Sequence, residues 1–186
     1  SEVLFSPFQE WEIFWPEKNT IFYLSRPSGL VSGFLFRYDL TTGSFEKILG
    51  DIPGLEIKPS KDGKKLIFSA YNSEKQLPEL FVYDLKDKKV FDLQTIGLSQ
   101  KCVFGSDEIV YCGLDSFPRP ALYPDEWLRG EISTSDTLWK INIETLEKTA
   151  FDATTLDIKI VEISDDNKFL YFTEKLSDSL WSFELK

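Results

Sequence analysis

The residues most able to do chemistry lie between positions 116 and 131. Three acidic side chains are close together there: Asp125, Glu126 and Glu131. Two carboxylates can hydrolyse a glycosidic bond when they lie about 5–9 Å apart across a sugar. Nothing in this spacing enforces such a separation, and acidic side chains on loops are usually solvated. We therefore predict no catalytic residue here.

The chain contains no histidine, which excludes several classes of site. A Ser-His-Asp triad, a His-ligated zinc ion and a His general base are all impossible. The acidic turn Asp165-Asp166-Asn167 does not follow the spacing of an EF-hand calcium loop. We expect neither a metal ion nor a cofactor.

The same stretch is richer in residue types that serve recognition. Arginine, tyrosine and tryptophan are enriched at binding hot spots, and three prolines lower the entropy that the stretch loses on ordering. The predicted partner-binding residues are Arg119, Tyr123, Asp125, Trp127 and Arg129. Two interpretations stay open: a recognition loop for a protein or an oligosaccharide, or a lid in which Trp127 and Phe117 plug an opening.

The two cysteines, Cys102 and Cys112, flank the polar turn 106–108. A hairpin with this three-residue turn pairs residues whose numbers add up to 214, so the two thiols face each other across the strands. A cross-strand disulfide is one outcome, and two small buried apolar side chains are the other.

Internal repeats explain what positions these residues. Four segments rich in apolar residues end in an acidic or amide side chain at Asp39, Asp84, Asn142 and Glu184, with spacings of 45, 58 and 42 residues. Each unit contains short strands separated by polar turns, and we expect the repeated polar residues to cap those turns. The long third unit carries about thirteen more residues than the first, within the 116–131 stretch.

Repeated four-stranded units of this length predict an all-β fold, a four-bladed β-propeller with antiparallel blades. The whole chain, 1–186, is one domain with blades near 11–49, 54–93, 98–151 and 157–186. The last unit lacks a fourth strand, and the apolar residues 2–5 are predicted to supply it and close the ring. The alternative is an open part of a larger propeller.

The segment from Lys58 to Ala70, with its Ser60-Lys61-Asp62-Gly63-Lys64 turn, resembles the TolB-type propeller repeat. Residues 164–172 resemble it in part, and residues 122–130 are faintly similar to uncharacterised, membrane-anchored bacterial propeller proteins. TolB-type repeats occur in periplasmic and surface binding proteins and in the propeller domains of prolyl-oligopeptidase-like enzymes. The resemblance therefore implies a propeller and an extracytoplasmic or cell-surface location, and leaves the activity open.

Composition limits the partners. The net charge of −10 disfavours nucleic acid and favours a basic partner, and no apolar run is long enough to span a membrane. The chain contains no methionine, which suggests a processed or trimmed chain whose signal or anchor lies elsewhere. We predict a monomeric, non-catalytic binding or scaffold module for a protein or surface glycan. The alternatives are a propeller-type hydrolase, or a fragment of one, and a structural module of a larger surface protein.

Overall fold

The structure is a computed structural model that describes residues 10–185. Fifteen strands in this range form four antiparallel sheets in sequence order. Blade 1 contains β1 (Trp11–Glu17), β2 (Thr20–Ser25), β3 (Ser32–Asp39) and β4 (Phe45–Pro53). Blade 2 contains β5 (Glu56–Pro59), β6 (Lys65–Asn72), β7 (Leu77–Asp84) and β8 (Lys89–Ile96).

Blade 3 contains β9 (Cys102–Phe104), β10 (Ile109–Asp115), β11 (Asp136–Asn142) and β12 (Lys148–Leu156). Blade 4 contains β13 (Ile158–Ile163), β14 (Phe169–Glu174) and β15 (Leu180–Glu184). A 3-10 helix (Ser99–Lys101) precedes β9, and one helical turn, α1 (Asp125–Leu128), lies in the long loop of blade 3. The predicted four-bladed β-propeller is confirmed.

The polar residues that recur at the strand ends form the turns, as predicted for three of the four. The Asp39 carboxylate accepts hydrogen bonds from the next backbone N–H groups at 2.8 and 2.9 Å. Asp84 and Asn142 make the equivalent pairs of bonds in blades 2 and 3. Each side chain satisfies backbone donors that the turn would leave free, so these residues are structural.

Apolar side chains fill the spaces between consecutive blades. Strand alternation turns Phe22 and Leu24 of blade 1 toward Leu66 and Phe68 of blade 2. A second cluster joins blades 2 and 3, and a third joins blades 3 and 4. These three layers hold the blades around a central channel that β1, β5, β9 and β13 line.

The hairpin between β9 and β10 has the predicted register. Cys102 pairs with Cys112, Val103 with Tyr111 and Phe104 with Val110. The two sulfurs form a disulfide buried in the cluster between blades 2 and 3. Of the two outcomes left open by the sequence, the structure contains the bonded one.

The predicted blade boundaries differ most at the outer strands. Strands β4 and β12 extend to Pro53 and Leu156, beyond the predicted ends at 49 and 151. Both strands contain register shifts against their neighbours, so extra residues fit into the ladder without ending it. The predicted closing strand, residues 2–5, lies outside the described residues. Among residues 10–185, blade 4 contains three strands.

Candidate functional site

The two ends of the channel carry different connections. The loops between the second and third strands of each blade lie at one end, together with the connections between blades; we call this end the upper face. The short turns between first and second strands lie at the other end, the lower face. The loop 116–131 belongs to the upper face, where propellers commonly bind their partners.

This loop crosses the upper face and contacts the other three blades. The Asp125 carboxylate accepts hydrogen bonds from Ser28 Oγ at 2.9 Å and from Gly29 N–H at 2.7 Å, both in blade 1. The backbone N–H of Ala121 donates to the carbonyl of Gln76 in blade 2 at 3.0 Å. Lys175 of blade 4 donates to the carbonyl of Trp127. The loop is therefore a lid fastened to every blade.

Gly29 explains why the lid lies so close to blade 1. A Cβ atom at this position would come within 2.5 Å of the Tyr123 carbonyl oxygen, which no side chain tolerates. Glycine lets the two backbones touch and leaves the Gly29 N–H directed at Asp125.

Trp127 closes the upper end of the channel. Its side chain is 1% exposed, and its indole Nε1–H donates to Asp157 Oδ1 at 2.9 Å. The ammonium groups of Lys101 and Lys175 lie 4.8 and 4.2 Å from the ring centroid. A cation near a tryptophan ring is attracted by the ring's quadrupole, so two cations and one carboxylate hold the indole in place.

Lys101 connects the lid to blades 3 and 4. Its buried ammonium donates to Thr134 Oγ1 at 2.6 Å, to Asp136 Oδ2 at 2.7 Å and to Asp157 Oδ1 at 3.1 Å. Three N–H donors thus meet three oxygen acceptors, which is the full capacity of an ammonium group. Asp136 also accepts the backbone N–H of Ile158 at 2.8 Å and so fixes the first strand of blade 4.

The two carboxylates beside Lys101 differ in their pKa. Burial raises the pKa of Asp136 despite the neighbouring ammonium. Burial also acts to raise the pKa of Asp157, but the Lys101 charge and the bonds from Trp127 and Thr134 outweigh it and lower that pKa. The two acids contact the same ammonium group, but their different surroundings shift their pKa values in opposite directions.

A further buried acid, Glu56, lies at the start of the first strand of blade 2. It accepts hydrogen bonds from Ser69 Oγ at 3.1 Å and Gln100 Nε2 at 2.7 Å. Burial raises its pKa from 4.5 to about 8, against the effect of the Ser69 bond, and the negative charge of Glu12 adds to the rise. Glu56 is accordingly neutral at pH 7.

The five predicted binding residues differ in their exposure to solvent. Trp127 and Tyr123 are buried, at 1% and 4% exposure, so the hypothesis that their rings form an exposed contact surface is corrected. They pack instead with Leu98 beneath the lid. Asp125 is partly buried and bonded to blade 1. Arg119 and Arg129 are exposed, and Arg129 pairs with Glu131 at 2.7 Å.

The lid interpretation also needs one correction. The lid interpretation places Phe117 in the opening with Trp127, but the ring of Phe117 is 76% exposed. The backbone N–H of Phe117 donates to Asp115 at 3.1 Å, which turns the chain outward just after β10. Trp127 therefore closes the channel, while Phe117 stands on the surface.

Sequence reasoning missed the charged groups beneath the lid: Lys101, Asp136 and Asp157. The available signal was position, because Glu56 begins the first strand of blade 2, while Lys101 and Asp157 immediately precede the first strands of blades 3 and 4. Charged residues that begin such buried strands need partners, and the repeat alignment would have placed them around one channel.

Exposed apolar side chains surround the lid. They come from the loops of blades 1 and 4 and from the lid itself. They are Leu30 at 74%, Val31 at 58%, Phe117 at 76%, Leu128 at 49% and Leu176 at 76%. The Asp125–Gly29 and Lys175–Trp127 contacts connect the loops that carry Leu30, Leu128 and Leu176. We call these three residues the upper apolar patch.

The lower end of the channel is open. A cavity of about 620 Å³ lies between the four inner strands and contains Trp15, Phe14 and Phe104 in its wall. Lys58 forms an ion pair with Glu162 across this opening, and Lys61 pairs with Asp165 at 2.8 Å. Aromatic rings and exposed ion pairs thus line the lower end.

No family model and no curated protein matches the sequence. Solved structures do match the fold. TolB from Acinetobacter baumannii aligns with a TM-score of 0.67 at 19% identity, over 98% of this chain and 42% of that one. A putative TolB from Agrobacterium tumefaciens aligns with a TM-score of 0.61 at 15% identity, over 98% and 60% of the two chains.

An oligogalacturonate lyase in complex with manganese has a TM-score of 0.60 at 13% identity, over 90% of this chain and 46% of that one. The chain therefore spans about 42–60% of the length of these three structures. In residues 10–185, no helix has the length and apolar character needed to cross a membrane. The likeness to TolB-type propellers predicted from the repeats is confirmed for the fold, and the chain is a four-bladed β-propeller similar to them.

Proposed function

We propose that this protein is a non-catalytic binding module whose upper face holds a protein partner. The observation that carries the proposal is that the inner and outer sides of the lid differ. Its inner side is fixed to the blades through Trp127, Tyr123 and Asp125. Its outer side presents Leu128, Arg119 and Arg129 to solvent.

Such a lid binds with little loss of entropy, because its backbone is already ordered before a partner arrives. Leucine and arginine side chains on a rigid support can enter a partner's pockets without rearranging the scaffold. The upper apolar patch extends this surface to blades 1 and 4. Exposed apolar residues with charged neighbours are typical of protein-binding surfaces, so we favour a protein over a glycan.

The geometry favours binding over the hydrolase alternative. Asp125 is engaged by Ser28 and Gly29, and Glu131 is engaged by Arg129 at 2.7 and 3.0 Å. Asp125 therefore fastens the loop to blade 1, and Glu131 is held in an ion pair with Arg129 within the loop. The net charge of −10 favours a partner with a basic surface around the apolar contact.

We also propose an extracytoplasmic location. The buried Cys102–Cys112 disulfide supports it, since disulfides persist in oxidising compartments and are rare in the cytosol. The similarity to TolB-type propellers is consistent with the same location. A fusion to a reporter enzyme that is active only outside the cytoplasm tests this part of the proposal directly.

Site-specific photo-crosslinking in the source cells tests the binding face. A benzoylphenylalanine at position 128 should give a discrete adduct, and the same group at position 90, which is 50% exposed on β8, should not. The cross-linked protein, once identified and purified, should lose its affinity for Leu128→Asp and keep it for Val90→Asp. Equal adducts at both positions, or equal affinity of both variants, contradicts the proposed face.

A further inference from the structure

A groove lies between blades 2 and 3, beside the start of the 116–131 lid. Its volume is about 380 Å³, and pockets for small ligands typically have volumes of about 300–1,000 Å³. One wall is β8 of blade 2, and the other is the sheet of blade 3. The wall includes Gln94, Asp115, Ser116, Thr137, Trp139 and Lys148. In the ring of four blades this groove lies opposite the junction of blades 1 and 4, so the outer edge of blade 4 takes no part in it.

Trp139 lies in the middle of the blade 3 wall. It pairs with Cys112 and packs against the apolar cluster between blades 2 and 3, so its ring is on the face toward blade 2. Strand alternation places Thr137 two residues to one side on the same face, and Lys148, the partner of Ile141, on the other side. The indole is only partly buried. It therefore offers a flat apolar surface that the core holds in place.

Polar groups with unused bonding capacity lie at one end of the groove. Asp115 accepts the backbone N–H groups of Phe117 and Ser135 at 3.1 and 3.2 Å, both through Oδ1. Among residues 10–185, no hydrogen bond uses the second oxygen, Oδ2. The hydroxyls of Ser116 and Thr137 bond to each other at 2.9 Å, which leaves one hydroxyl proton and several lone pairs free. This end can both accept and donate hydrogen bonds.

The other end carries an ammonium group. Lys148 Nζ donates to the backbone carbonyl of Gln94 at 2.7 Å, across the junction of the two blades. This bond uses one of its three N–H donors. In the described part of the chain, the charged residues of the wall are Asp115 and Lys148. One carboxylate repels anions and one ammonium repels cations, so the groove is matched to a neutral ligand rich in hydroxyl groups.

We propose that this groove binds a neutral pyranose sugar of a glycan. A pyranose combines a flat, apolar C–H face with hydroxyl groups around its rim. The face packs on Trp139, while the hydroxyls donate to Asp115 Oδ2 and accept from Lys148 Nζ. The site is separate from the upper apolar patch, so sugar binding here does not depend on the proposed function.

An NMR titration of the full chain tests this site. The probes are the methyl glycosides of glucose, galactose, mannose and N-acetylglucosamine, each added to millimolar concentration. At least one should shift the indole N–H signal of Trp139 and the amide signals of Thr95 and Ser116, and leave the buried indole of Trp127 unchanged. Glycerol, which has hydroxyls but no ring, should shift none of these signals.

Two pairs of variants examine the wall. Trp139→Leu retains apolar packing but removes the flat ring, and should weaken the sugar about tenfold. Phe91→Leu alters a ring that packs against the same cluster outside the groove, and should not.

Asp115→Asn retains the oxygen that accepts two N–H groups and replaces the other, so binding should again fall about tenfold. Asp152→Asn, on the face of the same sheet toward blade 4, should leave the affinity unchanged. Leu128→Asp should also bind the sugar normally, which separates this site from the upper face.

Two results overturn the proposal. The first is a wild-type titration in which none of the four glycosides shifts the Trp139 indole, or in which glycerol shifts it equally. The second is wild-type affinity in Asp115→Asn. The Asp115→Asn result decides the question even if Trp139→Leu fails to fold.

Discussion

The upper and lower ends of the channel are built from the same repeat but differ in their physical character. At the upper end, Lys101, Asp136 and Asp157 are buried beneath Trp127. At the lower end, the ion pair of Lys61 and Asp165 is exposed to solvent and lies beside an open cavity.

The difference follows from one loop. The turns of the lower face are short in all four blades, so in residues 10–185 no loop covers the axis there and only side-chain ion pairs cross the opening. Within residues 10–185, the third blade alone carries a long upper loop, and its buried indole removes water from the charged groups below. An exposed ion pair contributes little to stability, whereas removing one partner of a buried ion pair is strongly destabilising. The same kinds of substitution should therefore change the free energy of unfolding much more at the upper end.

The largest expected effect is the loss of the central cation. Lys101→Met should destabilise the fold by about 3–5 kcal/mol, because two buried carboxylates lose their shared partner. Urea denaturation measures this change. Lys61→Met removes the solvated pair at the lower end and should leave the midpoint almost unchanged. Similar losses in both variants would show that the two ends do not differ as described.

Truncating the lid's indole should have the next largest effect. Trp127→Ala opens a cavity and deletes the bond to Asp157, so we expect a loss of about 3–4 kcal/mol in the free energy of unfolding. Trp15→Ala, at the lower opening, removes a side chain that is 64% exposed and should cost about 0.5 kcal/mol. Thermal denaturation of the pair compares a structural tryptophan with a surface one.

The buried acid of the upper end, Glu56, should make the stability of the fold depend on pH. The folded chain holds the Glu56 proton up to about pH 8, while the unfolded chain releases it near pH 4.5. Stability from this group is therefore complete below pH 4.5 and is lost as the pH rises toward 8.

Glu56→Gln should remove that slope and raise stability at pH 8 by on the order of 3 kcal/mol. The check is a series of urea titrations between pH 4.5 and 8. A wild-type and a variant curve that run parallel across this range would show that Glu56 ionises normally in the fold.

The smallest stability effect belongs to the outer side of the lid. Leu128→Asp alters a side chain that is 49% exposed, so the unfolding midpoint should shift by no more than about 0.5 kcal/mol. Partner binding should nevertheless be lost. A large drop in stability would mean that Leu128 supports the lid rather than presenting a surface.

The repeats made the fold predictable. Apolar strands at regular spacing, with Asp39, Asp84 and Asn142 at their ends, indicate both the number of blades and their turns. The Cys102–Cys112 pairing followed from the length of one turn, because register is determined once a hairpin is closed.

The candidate site was only partly predictable. The composition of the 116–131 loop identified the segment, but not which of its residues point inward. That orientation depends on Gly29, Lys175 and Gln76, which lie in three other blades. Contacts of this kind are set by the curvature of the ring, which local patterns do not encode.

The central claim is that the 116–131 loop is a lid closed by a buried tryptophan. Hydrogen exchange of the five indole N–H groups, followed by NMR, tests it most directly, with Trp127→Phe and Trp15→Phe used for assignment. The account predicts that the Trp127 indole proton exchanges far more slowly than that of Trp15. An indole at position 127 that exchanges as fast as the one at position 15 would contradict the account.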